Sequence, residues 1–228
     1  MNLAFIPVRG GSKSIPLKNI KLINGKPLVY WTAKAANDAK HIDKVIIATD
    51  SPKIKEIVLG FKLPKLEVYD RKAENASDTA STESVMLEYI ENSELKGEDK
   101  FFLIQATSPM LKSSDIDGMY EKLISSDADS VFSGVIEKRF YWTESEDGAA
   151  PVNYNYRKRP RRQDYKGMIL ENGACYINSV ANIVREKNRL SGKIITYELP
   201  AYTSFEIDEE LDWIIIEQLM NHYLPLCK

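Results

Sequence analysis

The stretch that decides the fold opens the chain: Leu3-Ala4-Phe5-Ile6-Pro7-Val8, followed at once by Arg9-Gly10-Gly11. An apolar run of this length, without polar alternation, is typical of a strand that is covered on both faces of a sheet. In an open parallel sheet, ligands bind beyond the carboxyl ends of the strands. We therefore expect residues 9–19 to lie at a binding site.

The same pattern repeats along the first 140 residues. The predicted strands are Leu3–Val8, Lys44–Thr49, Leu66–Tyr69, Phe101–Ile104 and Ser130–Ile136. The predicted helices between them are Pro27–Ala39, Pro52–Phe61, Thr82–Leu95 and Ser114–Ser125; in the third, Glu83, Glu88 and Glu91 are the polar positions. Strands that alternate with helices indicate crossover units, so we expect an α/β protein with three layers and a mainly parallel central sheet.

Residues 138–167 interrupt this pattern. They are rich in Tyr, Arg, Lys and Asn, contain two prolines and show no clear period. A structureless loop of this length is unusual inside a compact domain. We predict an arm, inserted in an α/β domain of residues 1–137 and 168–228, that packs on a second copy of the chain. Regular pattern resumes with the strands Ala174–Asn178 and Lys193–Leu199, a helix near Val180–Lys187 and a final helix Glu209–Tyr223.

Composition argues against several classes of protein. The chain has 228 residues, of which 43% are hydrophobic, and a formal net charge of −2. A chain of this length can bury a sizeable core, and its charge does not favour nucleic acid or an anionic membrane. No apolar stretch approaches the roughly 20 residues that span a bilayer. Two cysteines far apart and two histidines argue against a zinc site. We expect a cytoplasmic protein.

The loop after the first strand has the composition of a phosphate site. Arg9, Lys13 and Lys18 place three cations within ten residues, around Gly10 and Gly11. Glycines let backbone N–H groups approach a phosphate closely. The spacing is neither GxGxxG nor GxxxxGK[ST], which disfavours a dinucleotide site or a P-loop. The alternative interpretation is a basic, flexible surface loop.

A pair of acidic residues precedes the last predicted helix. Glu206 and Asp208 are two positions apart, so their carboxylates share one face if the segment is extended. Paired carboxylates suit Mg²⁺, which keeps several waters and bridges to phosphate. The alternative is a solvated acidic helix start, and we assign that role to Glu209, Glu210 and Asp212.

Six motifs, in order, resemble those of a known family. The run RGGSKSIPLKN from Arg9 to Asn19 is similar to the loop RGGSKxIPxKN of the acylneuraminate cytidylyltransferases, the CMP-sialic acid synthetases. The other five are Arg71 with Ala76–Ser81, Gln105–Pro109, Arg162-Gln163, Asn172–Ile177 and Ser204–Asp208. The departures are Thr82 for the family's usual serine, Ala106 for its proline and Glu206 for its aspartate. The resemblance implies a Rossmann-like nucleotidyltransferase fold with a small dimerisation arm.

The resemblance also implies a reaction and its partners. CMP would pass from CTP to the anomeric hydroxyl of a nine-carbon keto sugar acid, an N-acylneuraminate or related nonulosonate, and pyrophosphate would leave. Mg²⁺ or Mn²⁺ would be the cofactor. The chain would be a homodimer in which the arm exchanges between subunits and helps to close each active site.

Individual residues receive roles in the same way. Catalysis would rest on Lys18, Arg9 and Asp208, with Lys18 stabilising charge at the α-phosphate. The nucleotide would be bound by Arg9, Gly10, Gly11, Ser12, Lys13, Lys18, Asn19, Arg71 and Thr82. The sugar acid would be bound by Gln105, Thr107, Ser108, Arg162 and Gln163. The metal would be held by Glu206 and Asp208.

Two other functions stay open. The first is a ketodeoxyoctonate cytidylyltransferase, which acts on an eight-carbon acid and whose loop normally continues through S-x-R-L-P-x-K. This chain reads SKSIPLKN over residues 12–19, which favours the nine-carbon class. The second is a catalytically silent nucleotide-sugar binding or scaffold protein. The joint presence of Lys18, Arg71, Gln105 and Asp208 argues against it.

Overall fold

The computed structural model describes residues 1–11, 14–76 and 80–223. Its strands are β1 (Asn2–Pro7), β2 (Leu22–Ile23), β3 (Lys26–Pro27), β4 (Lys44–Thr49), β5 (Leu66–Asp70), β6 (Lys100–Ile104), β7 (Ser130–Glu137), β8 (Trp142–Ser145), β9 (Gly148–Pro151), β10 (Met168–Ser179) and β11 (Ile194–Glu198). Its α-helices are α1 (Leu28–Asp38), α2 (Pro52–Leu59), α3 (Thr82–Glu91), α4 (Ser113–Ile124), α5 (Val180–Glu186) and α6 (Glu210–Tyr223). None of the helices in these ranges is long and apolar enough to cross a membrane.

Seven strands form the central sheet, in the order β11-β7-β10-β6-β1-β4-β5. Strand β1 is parallel to both β4 and β6, β4 is parallel to β5, and β11 is parallel to β7. Only β10 runs antiparallel to its neighbours, β6 and β7. Helices α1, α2 and α4 cover one face of the sheet, and α3 and α5 cover the other. The predicted three-layer fold with a mainly parallel sheet is confirmed.

Strand β1 shows why an unbroken apolar run marks the centre of such a sheet. Its side chains alternate between the two faces. Ala4 and Ile6 pack in the core under α1, α2 and α4, whereas Leu3 and Phe5 pack in the core under α3 and α5. All four are fully buried, and burying each of the larger ones contributes about 1.5–3 kcal/mol.

Strand β10 begins earlier than the predicted Ala174. The pairing of β10 with β7 starts at Met168, and its register shifts between Glu171 and Tyr176, which marks a β-bulge. The bulge contains Gly173 in a left-handed conformation, with φ of +69°. Polar residues and a glycine in mid-strand interrupt the apolar pattern, so the sequence conceals the first half of this strand.

The arm contains more regular structure than its sequence suggests. Strands β8 and β9 pair antiparallel as a separate two-stranded sheet, and their residues are almost all exposed. The rings form their own small cluster, in which Phe140 stacks on Tyr154 at 4.2 Å and Trp142 lies 6.0 Å from Tyr154. The turn between the strands consists of Glu146 and Asp147, and Gly148 follows it with a φ of +105°.

Candidate active site

A cleft of about 290 Å³ opens where β1, β5 and β6 end. Pro7 is the last residue of β1, while Arg71 and Gln105 directly follow β5 and β6. The predicted site residues that line the cleft are Arg9, Lys18, Asn19, Arg71, Thr82, Gln105 and Thr107. The structure therefore brings cations from two loops together with polar groups from a third strand end and a helix start.

The loop after β1 is held against the end of β4. The Gly10 N–H donates to an Asp50 carboxylate oxygen at 2.9 Å, and a Cβ on Gly10 would lie 2.9 Å from Ser51 Cβ. Gly10 is thus required for a close approach to β4, and its N–H is occupied by a carboxylate. Sequence reasoning missed Asp50, although a polar residue directly after a buried parallel strand is a signal for a site.

Lys18, in the loop after β1, contacts the acidic segment that precedes α6. Its Nζ donates to the Ile207 carbonyl oxygen at 2.7 Å and to Asp208 Oδ1 at 3.1 Å, across 190 residues of sequence. Asn19 is buried, and its amide donates to the Arg9 carbonyl oxygen at 3.1 Å. The predicted ligands Ser12 and Lys13 lie outside the described residues.

The acidic segment is positioned by the bulge of β10. A Cβ on Gly173 would lie 3.0 Å from a Glu206 carboxylate oxygen, a tight contact, and the φ of +69° at this position favours glycine. The Ile207 N–H donates to the Thr107 carbonyl oxygen at 2.9 Å. Asp212 accepts from the Asp208 N–H at 2.9 Å. These contacts place Glu206 beside the loop after β6 and fix the backbone of Asp208.

Asn172 begins the predicted motif Asn172–Ile177, and its role in the structure is to hold other segments together. Its side chain is buried, accepts from the Ser133 hydroxyl at 2.7 Å and donates to the Thr203 carbonyl oxygen at 3.1 Å. Thr203 belongs to the turn that leads into Ser204 and Glu206. Asn172 therefore ties the acidic segment to two strands of the sheet.

The electrostatics of the acidic pair Glu206 and Asp208 fit a cation site. Burial raises the pKa of Glu206, the negative charge of Asp208 raises it further, and Lys18 opposes both effects. Two carboxylates that repel each other are stabilised by a divalent cation. The described ranges contain no group of three or more His, Cys, Asp or Glu that could hold a metal alone. The pair fits Mg²⁺, which takes one or two carboxylates and fills its shell with water and phosphate.

Arg71 is a half-buried cation in the cleft wall. Burial lowers the pKa of its guanidinium, and the carboxylates of Asp50 and Glu88 counteract this, while Arg9 adds to the lowering. Its Nη2 donates to the Asn75 carbonyl oxygen. Its buried Nε has no hydrogen-bond partner among the described residues. Arg71 therefore places a positive charge in the cleft wall, and the negative charges of Asp50 and Glu88 favour its charged form.

The predicted sugar ligands fall in three places. Gln105 and Thr107 line the cleft, whereas Ser108 is only 4% exposed and its hydroxyl has no partner in the described part of the chain. Arg162 lines a second cleft of about 220 Å³, and the described linings of the two clefts share no residue. Gln163 is exposed on the arm. Within the described part of one chain, Arg162 and Gln105 thus line different clefts.

The sheet order and the cation-lined cleft at the strand ends are those of the α/β nucleotidyltransferase fold. Solved structures agree on the fold. A CMP:2-keto-3-deoxy-manno-octonic acid synthetase complexed with CTP superposes with a TM-score of 0.69 at 17% identity, over 98% of this chain and 99% of that chain. A 4-diphosphocytidyl-2C-methyl-D-erythritol synthase gives a TM-score of 0.70 at 12% identity, over 96% of this chain and 98% of that chain.

Comparison of the sequence with known proteins identifies the family within the nucleotidyltransferase fold. The family model for cytidylyltransferases matches residues 3–219, and the chain belongs to this family. It is 37% identical to an N-acylneuraminate cytidylyltransferase of Oncorhynchus mykiss, over 94% of this chain and 49% of that protein. It is 31% identical to one of Streptococcus agalactiae serotype V, over 97% of this chain and 54% of that protein. The chain spans about half the length of the curated relatives it matches.

Proposed function

We propose that this chain transfers CMP from CTP to the anomeric hydroxyl of a nine-carbon keto sugar acid, an N-acylneuraminate or a related nonulosonate, and releases pyrophosphate. The observation that carries the proposal is the contact of Lys18 with Asp208 at a cleft that Arg9 and Arg71 also line. The relatives named N-acylneuraminate cytidylyltransferase support the choice of sugar acid.

The cations Arg9, Lys18 and Arg71 would reduce the electrostatic repulsion between the triphosphate of CTP and the carboxylate of the sugar acid. In the reaction, the anomeric oxygen attacks the α-phosphorus, and the bond from that phosphorus to the bridging oxygen of pyrophosphate breaks. Fixed cations that stabilise the charge on the phosphoryl oxygens and the leaving group accelerate such a step. Lys18 is fixed by the Ile207 carbonyl oxygen, and its ammonium is the group we assign to the α-phosphate.

Glu206 and Asp208 are the residues that would hold Mg²⁺ or Mn²⁺. When bound, the metal supplies positive charge to the triphosphate. Because two carboxylates alone leave the coordination shell incomplete, CTP oxygens and waters would provide the remaining ligands. The contact of Lys18 with Asp208 supports the proposal that the metal site lies next to the α-phosphate position.

The sugar side of the site would be completed by a second copy of the chain. Gln105 and Thr107 are available in the cleft, but Arg162 and Gln163 lie on the arm. An arginine fork suits a carboxylate because it contacts both oxygens. Trp142 is 48% exposed on the arm, and exposed aromatic rings are favoured in protein interfaces. We therefore propose a homodimer in which each arm reaches the partner's cleft.

A pyrophosphate-release assay tests the proposed reaction. The purified protein is incubated with Mg²⁺, CTP and either nine-carbon keto sugar acids or eight-carbon ketodeoxyoctonate, with UTP in place of CTP as the nucleotide control. We expect turnover with CTP and a nine-carbon acid. Turnover with only the eight-carbon acid would replace the substrate assignment. Absence of turnover with every acid, from protein that binds CTP, would support a silent binding protein.

A further inference from the structure

Helix α3 buries a carboxylate directly behind the wall of the cleft. Glu88 is only 5% exposed, and its oxygens accept hydrogen bonds from the Tyr69 hydroxyl at 2.9 Å, the Lys72 backbone N–H at 2.8 Å and the Asn75 side-chain amide. A buried charge is unfavourable unless hydrogen bonds compensate it. Burial raises the pKa of Glu88, but the three hydrogen bonds outweigh it and hold that pKa below its ordinary value of 4.5. Glu88 is therefore an anion at neutral pH.

The three donors surround Arg71 in sequence. Tyr69 lies two residues before Arg71 in β5, Lys72 follows Arg71 directly, and Asn75 lies in the short 3₁₀ helix Ala73–Ala76. Arg71 also donates to the Asn75 carbonyl oxygen, and its own N–H bonds the Thr49 carbonyl oxygen at 3.0 Å. Glu88 thus bonds the backbone directly after Arg71 and one side chain on each side of it, around a cation that lines the cleft.

Glu88 also connects this loop to a second part of the cleft wall. Thr82 and Val85 line the cleft from the first turns of α3, and Glu88 lies one turn after Val85 on the same helix. Its negative charge favours the charged form of the half-buried Arg71. The Glu88 side chain therefore links the loop after β5 to α3. It also contributes a negative charge near Arg71, the cation of that loop.

We propose that Glu88 is a positioning residue for nucleotide binding, which acts through Arg71 and does not touch the nucleotide. This inference rests on the proposed function, since it requires that the cleft binds CTP. A variant without the Glu88 carboxylate still has the Arg71 guanidinium, but the segment of chain around Arg71 loses the hydrogen bonds that hold it to α3. The expected consequence is weaker CTP binding, while the chemical step at saturating CTP is largely unchanged.

The test compares CTP affinities by isothermal titration calorimetry, without sugar acid and at a temperature where every variant is folded. We expect Glu88→Gln to raise the Kd for CTP by about tenfold, which is the effect of one hydrogen-bonded charged contact. Glu91→Gln, at an exposed position on the same helix, is the matched control and should leave the Kd within about twofold. An unchanged Kd in Glu88→Gln, with only a lower melting temperature, would show a purely structural role.

A double-mutant cycle tests the route through Arg71. In an Arg71→Ala background, Glu88→Gln should have no further effect on CTP affinity, because the group that it positions is absent. An equal loss in both backgrounds would overturn the inference. Asn75→Ala removes a single donor and serves if Glu88→Gln does not fold; it should weaken CTP binding by a few-fold in the Arg71 background alone. Wild-type protein that does not bind CTP would overturn the proposed function, whereas wild-type binding with an unaffected Glu88→Gln would overturn only the role of Glu88.

Discussion

The cleft and the arm (residues 138–167) differ in how their functional residues are held. In the cleft, the Lys18 ammonium donates to the Ile207 carbonyl oxygen and the Arg71 backbone N–H donates to the Thr49 carbonyl oxygen, so both residues are held by distant parts of the chain. On the arm, the hairpin is exposed and its rings pack mainly on one another. This difference is the basis of the proposal that one chain builds the nucleotide side of the site and that a second copy completes the sugar side.

The largest expected effect is at the nucleotide side. Lys18→Ala should lower kcat by about 100- to 1,000-fold, because it removes a fixed cation from the transferring phosphoryl group. Pyrophosphate release at saturating substrates measures this, and Lys53→Ala, at an exposed position on α2, is the control. Near-normal turnover in Lys18→Ala would contradict the role given to this lysine.

The arm is tested by Arg162→Ala, which should raise the KM for the sugar acid by about 10- to 100-fold, the effect of losing a hydrogen bond between charged groups. The KM for CTP should stay the same. Mixing Lys18→Ala with Arg162→Ala subunits then distinguishes the two arrangements. If the arm reaches the partner, one site in each mixed dimer has both residues, and activity returns. No recovery after subunit exchange would place the arm in its own subunit's site.

Subunit contact through the arm predicts a concentration-dependent dimer. Trp142→Ala should weaken dimerisation by about 30-fold, because exposed rings at interface centres typically contribute about 2 kcal/mol. Sedimentation equilibrium measures the change, and Leu59→Ala, an exposed apolar residue on α2, is the control. Equal dissociation constants for wild type and Trp142→Ala would exclude the ring from the interface.

The smallest expected effect concerns acid stability behind the cleft. The folded-state pKa of Glu88 lies below its ordinary value of 4.5, so its contribution to stability is present above pH 4.5 and is lost as pH falls through the folded value. Glu88→Gln should lower the free energy of unfolding by about 1–2 kcal/mol at pH 7. This difference from wild type should shrink below pH 4.5 in urea melts. A pH-independent difference would mean that the charge is not what stabilises the loop.

Sequence alone predicted β1, β4 and β6 because each is a short apolar run, which is typical of strands that are buried on both faces of a sheet. It also predicted the meeting of Lys18 and Asp208, since both belong to motifs of one family. It did not reveal Glu88, which looks like a solvent-facing residue in the helical pattern. Its burial depends on donors from β5 and the following loop, and such tertiary partners leave no periodic signal.

The hairpin and the first half of β10 were missed for a related reason. Exposed strands such as β8 and β9 bury nothing, so they show no hydrophobic alternation. In β10, the bulge between Glu171 and Tyr176 contains Gly173, which lies beside the Glu206 carboxylate, so the apolar pattern of a buried strand is interrupted there. Functional geometry here interrupts the local pattern on which prediction from sequence depends.

Binding of Mn²⁺, followed by electron paramagnetic resonance, most directly tests the convergence of Lys18, Glu206 and Asp208 on one metal–nucleotide complex. We expect Mn²⁺ to bind weakly to the protein alone and tightly when CTP is present. Asp208→Asn should weaken the ternary complex by at least about tenfold, while Glu209→Gln should not. Mn²⁺ binding that CTP does not strengthen, or that Asp208→Asn leaves unchanged, would contradict a shared site.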